Sequence, residues 1–179
     1  MNDPNPYMTP DASLDIEQDE LYQPSIFSFN GRIGRLRYLA YGVGTSLILM
    51  LVMMPIMGGT MFAGGMVGGE AAIGGMALIA MIMFYVSTLV FSVMFGKRRL
   101  NDLNRSGWWF LLFIVPIANF FMAIYVIFFP GAESSNNFGP APVANTLGVK
   151  ILAWMLPAIF VAGIVAAIAI PAFYGVPPQ

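Results

Sequence analysis

The chain lacks two residue types on which much enzyme and metal chemistry depends. Its 179 residues include no cysteine and no histidine. These absences exclude disulfides, metal sites built from Cys and His, and catalytic centres that use a thiol or an imidazole. The sequence also contains no Gly-x-Ser-x-Gly elbow, no phosphate-binding loop and no pair of carboxylates inside an apolar segment. We therefore expect a protein that is not an enzyme and that binds no cofactor or metal ion.

Charged residues are scarce as well, at 9% of the chain, whereas hydrophobic residues reach 58% and the mean hydropathy is +0.76. Ordinary soluble domains contain roughly 45–50% apolar residues. The apolar residues form four long blocks, 38–57, 76–96, 108–129 and 150–173, which carry no Asp, Glu, Lys or Arg apart from Lys150 at the edge of the last. About 20 apolar residues are enough for a helix to cross a bilayer. The sequence therefore predicts an all-α integral membrane protein, a bundle of four transmembrane helices.

The third block admits two interpretations, because Pro116 and Asn119 lie near its centre. In the first, a single helix crosses the membrane and is kinked at the proline, with neighbouring groups satisfying the freed carbonyl. In the second, the chain turns at Pro116–Asn119 and returns as a re-entrant hairpin, which would place 130–149 and Lys150 beside the other basic residues. We favour the kinked helix, since each half of a hairpin has only about ten residues and is too short to cross alone.

The distribution of basic residues predicts the orientation in the membrane. Seven of the eight lie before the first block or between the second and the third: Arg32, Arg35, Arg37, Lys97, Arg98, Arg99 and Arg105. An excess of Lys and Arg marks the cytoplasmic side, so we expect a multi-pass protein of the bacterial inner membrane with a cytoplasmic N-terminus. Four crossings would bring the C-terminus to the same side. Residues 1–25 are acidic and proline-rich, and we expect them to form a disordered cytoplasmic tail.

Glycine and methionine are concentrated around the first two blocks. Residues 58–75 are rich in glycine and include Gly64-x-x-x-Gly68, a spacing that permits close helix contact in membranes. They lie outside the apolar blocks, however, and we therefore favour a flexible loop. Ten of the fourteen methionines fall between positions 50 and 94. Thioethers can bind Cu(I), but without Cys or His the methionines are better explained as flexible packing residues.

One short basic stretch, 96–109, is the candidate functional site. If the second helix continues into it, helical spacing places Asp102 among three arginines. They are Arg98, Arg99 and Arg105, at offsets of four, three and three residues. The acid would then separate guanidinium groups that otherwise repel one another.

The residues that follow complete this candidate site. Ser106 and Gly107 would end the helix, and Trp108 and Trp109 would begin the next span at the depth of the lipid headgroups. Orientation by positive charge explains the arginines alone, whereas a site for an anionic headgroup or a protein partner explains the acid and the tryptophans too. Both explanations stay open. The residues that such a site would use are Arg32, Arg35, Arg98, Arg99, Asp102, Arg105, Trp108 and Trp109.

Three motifs resemble those of the bacterial inner-membrane proteins of domain-of-unknown-function family 805. The first is an aromatic-x-Gly-Arg-x-x-Arg-x-x-Tyr segment, here Phe29, Gly31, Arg32, Arg35 and Tyr38. The second is an Arg-Arg-Leu-His-Asp loop followed by Arg-Ser-Gly-Trp-Trp, here Arg98, Arg99, Leu100, Asp102, Arg105, Ser106, Gly107, Trp108 and Trp109. The third is an Asn-x-Phe-Gly-Pro-x-Pro element, here Asn136, Phe138, Gly139, Pro140 and Pro142. The resemblance implies a small integral membrane protein, and the family has no established activity.

The chain departs from the family pattern at three positions inside these motifs. Asn101 stands where the family has histidine, and Asn137 and Ala141 stand where it has an arginine and an aspartate. If those positions bind an ionic group in relatives, that capacity is weakened in this chain.

The last apolar block is an addition to the family pattern. We divide the chain into the tail 1–25, a family-like membrane domain over 26–142, and an added helix with a short tail over 143–179. The end of that helix, 163–173, is similar to the hydrophobic stem of type IV pilins, but it lacks the pilin processing site and the glutamate near the mature start.

The sequence favours one functional hypothesis and leaves a second open. The first is a non-enzymatic interaction or accessory protein, whose cytoplasmic basic face contacts anionic phospholipid headgroups or a protein partner. The second is a small oligomeric channel or transporter for a solute that needs no titratable pathway, with Asn119 beside Pro116 as its polar constriction. In either case we expect the lipid bilayer, and a second copy or another membrane protein, as partners, and no nucleic acid.

Overall fold

Five helices form the part of the chain that the computed structural model describes, residues 21–67 and 69–175. They are α1 (Arg35–Val67), α2 (Gly69–Asp102), a 3-10 helix (Gly107–Ile114), α3 (Pro116–Phe128) and α4 (Leu147–Tyr174). Within the described ranges, pairing between extended segments is limited to two isolated bridges. The prediction of an all-helical fold is confirmed.

Three of these helices are long and apolar enough to cross a membrane. The helices α1, α2 and α4 contain 33, 34 and 28 residues. At 1.5 Å per residue they measure roughly 42–51 Å, against a hydrocarbon thickness of about 30 Å. Only 6% of the most apolar window of α1 and of α4, and 17% of that of α2, is buried inside the molecule. Surfaces of this kind fit a lipid environment, since water would be a poor solvent for them.

The long helices pack in an up-down-up order. At the start of α1, the Ile33 amide donates to the Arg98 carbonyl near the end of α2 (3.3 Å), so these two helices are antiparallel. Leu152, near the start of α4, lies against Gly44, near the start of α1, so these two helices run in the same direction. The chain therefore crosses the molecule three times along its long helices.

The glycine-rich segment 58–75 is helical wherever the structure describes it. Residues 58–67 extend α1, and residues 69–75 begin α2. Gly64 is buried, and a Cβ atom at this position would lie 2.1 Å from Ile73 Cγ1. The predicted loop is therefore wrong, because the missing side chain lets the two helices approach closely instead of making the chain flexible.

The third apolar block does not form one helix. The 3-10 helix ends at Ile114, Val115 is extended (φ −87°, ψ 118°), and α3 begins at Pro116. The first position of a helix suits proline, because its missing N–H has no helical partner there. The Asn119 side chain donates to the Phe113 carbonyl (2.9 Å), which the break removes from the regular helical pattern. Pro116 and the Asn119 side chain therefore both stabilise the break before α3.

Both ends of this block lie at the same end of the molecule. Just before the block, Arg105 Nε lies 3.5 Å from the hydroxyl of Tyr125, near the end of α3. Just after it, the Ala132 amide donates to the carbonyl of Asp102, the last residue of α2 (3.0 Å). The chain thus returns to the end that it left.

The block therefore forms a hairpin that returns to its starting end, as in the re-entrant interpretation, and the preferred prediction of a single kinked third span is corrected. Phe110 and Phe113 of the 3-10 helix pack against a buried cluster that contains Met122 and Val126 of α3. Since α3 has 13 residues, it is about 20 Å long and too short to cross. The hairpin forms because the helix breaks before Pro116 and the two halves bury apolar side chains against each other.

All eight basic residues of the chain lie at the end of the molecule where α1 begins, α2 ends and α4 begins. The segment 130–146 crosses this end, and Arg37 Nη2 donates to the carbonyl of Ala144 just before α4 (2.9 Å). We call it the basic end. Because α4 starts there, Tyr174 lies at the opposite end, which corrects the expectation that both termini share one side.

A short segment before α1 also belongs to the basic end. The Tyr22 amide donates to the Ala141 carbonyl (2.9 Å), and the Val143 amide donates to the Tyr22 carbonyl (3.0 Å). Residues 21–25 are therefore part of the folded domain rather than of the predicted tail. The rest of that tail, 1–20, and the C-terminal residues 176–179 lie outside the described residues.

This topology predicts that reporters fused before Met1 and after Gln179 lie on opposite sides of the membrane. Three crossings separate the two positions, because the hairpin returns to its own side. Paired fusions to alkaline phosphatase and to a fluorescent protein that is dark outside the cytoplasm measure this directly. Two fusions that report the same side would contradict the re-entrant hairpin and restore a fourth crossing.

Candidate functional site

The site is built around one buried carboxylate at the basic end. Arg32, three residues before α1, donates to Asp102 Oδ1 from Nε (3.3 Å) and from Nη2 (3.2 Å). Arg99, in the last turn of α2, donates from Nη1 to Asp102 Oδ2 (2.6 Å). The side chains of both arginines are fully buried, and that of Asp102 is 3% exposed. One acid therefore holds two cations inside the protein.

Backbone carbonyls take the remaining donors of Arg32. Its Nη1 donates to Ser134 (2.8 Å) and to Gly139 (2.9 Å), and its Nη2 also donates to Ala132. A guanidinium suits this position because it presents five N–H donors in a fixed plane. Arg32 thereby ties the start of α1 to the segment that joins α3 to α4.

Arg99 ties the end of α2 to the end of the hairpin. Its Nε donates to the Val126 carbonyl (2.8 Å), and its Nη2 donates to the Phe129 carbonyl. These carbonyls lie at the C-terminal end of α3, and Arg99 itself lies in the last turn of α2. The C-terminus of α3 therefore directs its partial negative charge toward this guanidinium, which offsets part of the cost of burying it.

Arg98 does not contact Asp102, contrary to the prediction from its spacing. Its Nη1 donates to the carbonyls of Ser25 (2.8 Å) and Ile26 (3.3 Å), on the other side of α2. The side chain is fully buried under this segment. Arg98 therefore holds the segment before α1 against α2. The position beside Asp102 that was predicted for Arg98 is occupied by Arg32.

Arg105 is also separated from Asp102, because α2 ends before it. Asn104 adopts a left-handed conformation (φ 55°), the Asn104 amide donates to Asn101, and the Arg105 amide donates to Leu100. These bonds form a Schellman motif, a common helix end. The exposed Arg105 guanidinium then lies 5.0 Å from the centre of the Trp109 ring, a cation–π distance.

Other predicted residues of the site stay at the surface. Arg35 is exposed, and its Nη1 donates to the carbonyl of Phe128 (3.3 Å). Trp108 and Trp109 are exposed by 78% and 41%. The predicted basic face therefore has two parts, a buried cluster of Arg32, Arg98, Arg99 and Asp102, and an exposed group of Arg35, Arg105, Trp108 and Trp109. The side chains of the three buried arginines are enclosed by protein in this structure.

Gly131 is a residue of the site that the sequence did not reveal. A Cβ atom at this position would lie 1.8 Å from Asp102 Oδ2, so the backbone itself covers the carboxylate. The requirement for glycine comes from an acid 29 positions earlier, and no local pattern could indicate it.

The alternative hypothesis of an oligomeric channel with Asn119 as its constriction stays a prediction. Asn119 uses its amide nitrogen to bond the Phe113 carbonyl, and its side chain is exposed on the outside of the described molecule. Its position is explained by the helix break.

We expect Asp102→Asn to destabilise the protein by about 3–5 kcal/mol, the usual cost of removing one partner of a buried ion pair. The substitution keeps the shape of the side chain but leaves two buried guanidinium groups without their counter-charge. Unfolding of the purified protein in micelles by increasing denaturing detergent measures the difference. Glu133→Gln is the matched control, since Glu133 is an exposed acid of the connecting segment. Equal stability of the two variants would contradict the role assigned to Asp102.

We expect Gly131→Ala to cost about 1–3 kcal/mol, the typical penalty for inserting a methyl group into a packed site. The new methyl must displace a carboxylate that Arg99 holds at 2.6 Å. Gly148→Ala is the control, because Gly148 lies in α4 with open space around its Cα. The same unfolding assay applies, and a tolerated Gly131→Ala would show that the carboxylate can move freely.

Comparison with known proteins agrees with the resemblance of the three motifs. A family model described as "Protein of unknown function (DUF805)" matches residues 26–140. The chain is also similar to "Inner membrane protein YhaH" of Escherichia coli strain K12 and to the protein of that name in Escherichia coli O157:H7. Each is 42% identical over 45 residues, which are 25% of this chain and 37% of the relative. No solved structure matches the chain.

The chain thus spans little more than a third of the length of these curated relatives. The family match is broader and covers well over half of the chain. Together with three helices able to cross a membrane, it identifies an integral inner-membrane protein. The chain belongs to the uncharacterised DUF805 family.

Proposed function

We propose that the protein is a non-enzymatic accessory protein of the inner membrane, whose exposed basic residues contact anionic phospholipid headgroups. The observation that carries this proposal is the division of the basic residues into two sets. Arg32, Arg37, Arg98 and Arg99 are buried inside the protein, whereas Arg35, Arg105 and Lys150 are exposed and Lys97 is half-buried at the same end. The exposed set is not needed for the internal ion pair.

The orientation follows from the same set of charges. All eight Lys and Arg residues lie at the basic end, and the opposite end has none. Under the positive-inside rule, the basic end faces the cytoplasm. The N-terminus is then cytoplasmic and the far end of α4 faces the periplasm. Anionic lipids at the cytoplasmic surface would meet the exposed arginines and lysine there.

A groove beside Arg35 has the shape and polarity of a lipid site. It has a volume of about 580 Å³ and lies between α1, α3 and α4. Arg35 stands at its polar end, and its walls include Leu39, Phe128, Trp154 and Pro157. A phosphate could bind the guanidinium while an acyl chain packs along the apolar walls. Basic pockets between transmembrane helices bind anionic headgroups in this manner.

The tryptophans support the same depth for these residues. Trp109 packs under the exposed Arg105, and Trp154 lies one helical turn after Lys150 on α4. Tryptophan prefers the interface between headgroups and acyl chains, where its ring is in an apolar medium and its N–H can reach water. The cations beside them would therefore lie at the level of the phosphates.

The proposal predicts that the triple variant Arg35→Gln, Arg105→Gln, Lys150→Gln binds anionic lipid at least about tenfold more weakly. Each basic residue near an anionic surface contributes about 1 kcal/mol, and 1.4 kcal/mol corresponds to a factor of ten. Native mass spectrometry of the purified protein, titrated with anionic and zwitterionic phospholipids of the same acyl chains, measures the affinities.

Glu133→Gln serves as the control, because it changes one exposed charge of the opposite sign in the connecting segment. The terminal reporters described above verify that the triple variant keeps its orientation. An unchanged preference for anionic lipid in a correctly oriented triple variant would overturn the proposed function.

A further inference from the structure

A second cleft at the basic end lies between the last turns of α2 and the 3-10 helix. Its volume is about 700 Å³, within the usual range of about 300–1,000 Å³ for ligand sites. Gly31, Ser106 and Phe138, one residue from each motif, are among the residues that line it. All three sequence motifs described above contribute to its wall.

The polarity of this cleft changes along its length. Val93, Lys97 and Asn101 follow one another at intervals of four residues, so they share one face of α2 and are about 6 Å apart along its axis. Across the cleft, Leu111 is apolar and Ser106 is polar. The order along α2 towards the basic end is therefore apolar, cationic and then amide, which is complementary to the acyl chain, phosphate and headgroup of a phospholipid.

Asn101 has an acceptor that nothing in the described part of the chain satisfies. Asn101 is 5% exposed, and its Nδ2 donates to the Gly31 carbonyl (3.3 Å). This bond fixes the orientation of the amide, because a carbonyl can only accept. The buried Oδ1 then has no hydrogen-bond donor among the described residues, although buried polar groups are normally paired. A hydroxyl donor that enters from the cleft would complete it once the groups that cover Oδ1 move aside.

The charge around Asn101 restricts what kind of donor is favourable. Among the described residues, four buried arginines face one buried acid at this end: Arg32, Arg37, Arg98 and Arg99 against Asp102. A second ammonium group would be repelled by this excess of positive charge. A neutral hydroxyl has no net charge for the arginines to repel, and the negative charge of the same lipid is on its phosphate.

We propose that this cleft is a binding site for phosphatidylglycerol. Its phosphate would bind the ammonium of Lys97, a hydroxyl of its glycerol headgroup would donate to Asn101 Oδ1, and an acyl chain would lie along Val93, Phe110 and Leu111. This inference rests on the proposed function, since it names one lipid and one site for it. It adds a selection by headgroup that surface charge alone does not provide.

The test compares three phospholipids with identical acyl chains on the full-length protein by native mass spectrometry. Phosphatidylglycerol carries an anion and a neutral donor, phosphatidylethanolamine has a cationic donor, and phosphatidylcholine has no headgroup donor. We expect the wild-type protein to bind phosphatidylglycerol at least about tenfold more tightly than the other two. Lys97→Gln should remove most of this preference, since it removes the charge that binds the phosphate.

Two further variants separate the site from a general effect on folding. Asn101→Leu removes the acceptor and should reduce the preference for phosphatidylglycerol about five- to tenfold, a typical effect of one hydrogen bond. Leu111→Trp should fill the cleft from the 3-10 helix without touching the buried ion pair. Leu112→Trp, at the neighbouring exposed position outside the cleft, is its matched control and should bind normally.

The outcomes distinguish the two proposals. If the protein prefers anionic lipid but neither Lys97→Gln nor Leu111→Trp weakens phosphatidylglycerol, the cleft is overturned and the proposed function stands. Equal binding of phosphatidylglycerol and phosphatidylethanolamine overturns the headgroup selection. If no anionic lipid is preferred over phosphatidylcholine, both proposals fall.

Discussion

A carboxylate that is removed from water needs positive charge close by, and here Asp102 has two guanidinium groups within hydrogen-bond distance. Burying such charges is costly, and their mutual attraction offsets the cost only when the remaining donors are also satisfied. Backbone carbonyls provide that satisfaction. They come from the C-terminal end of the hairpin and from the segment before α4, so the folding of these segments and the burial of the charges depend on each other.

This dependence explains why the basic end is well packed while the long helices are mostly exposed. In a lipid environment, apolar side chains gain little from contact with one another, so close packing must come from small residues and polar contacts. The small residue Gly64 allows close packing at one end of the α1–α2 hairpin. At the other end, the arginines and Asp102 make the polar contacts. The proposed lipid contacts therefore involve the cations outside this internal network, Arg35, Arg105 and Lys150, which are exposed.

The sequence predicted the parts of this fold that depend on local pattern. The long apolar blocks correspond to α1, α2 and α4, and the spacing of three residues correctly paired Arg99 with Asp102. It could not predict the partner from the other side, because Arg32 lies 70 positions earlier and only tertiary packing brings it there. It also missed the helix end at Asn104, which turns Arg105 away, since a left-handed asparagine leaves no reliable local signal.

The re-entrant hairpin has a consequence for the shape of the molecule in a bilayer. The 3-10 helix and α3 leave the basic end and return to it, so in a bilayer crossed by the three long helices they would lie in the leaflet on that side. Among the described residues, the other leaflet holds three helices without this addition. The protein would then have a larger cross-section in one leaflet than in the other. A molecule of this shape would act as a wedge, and the lipids around it would pack differently in the two leaflets.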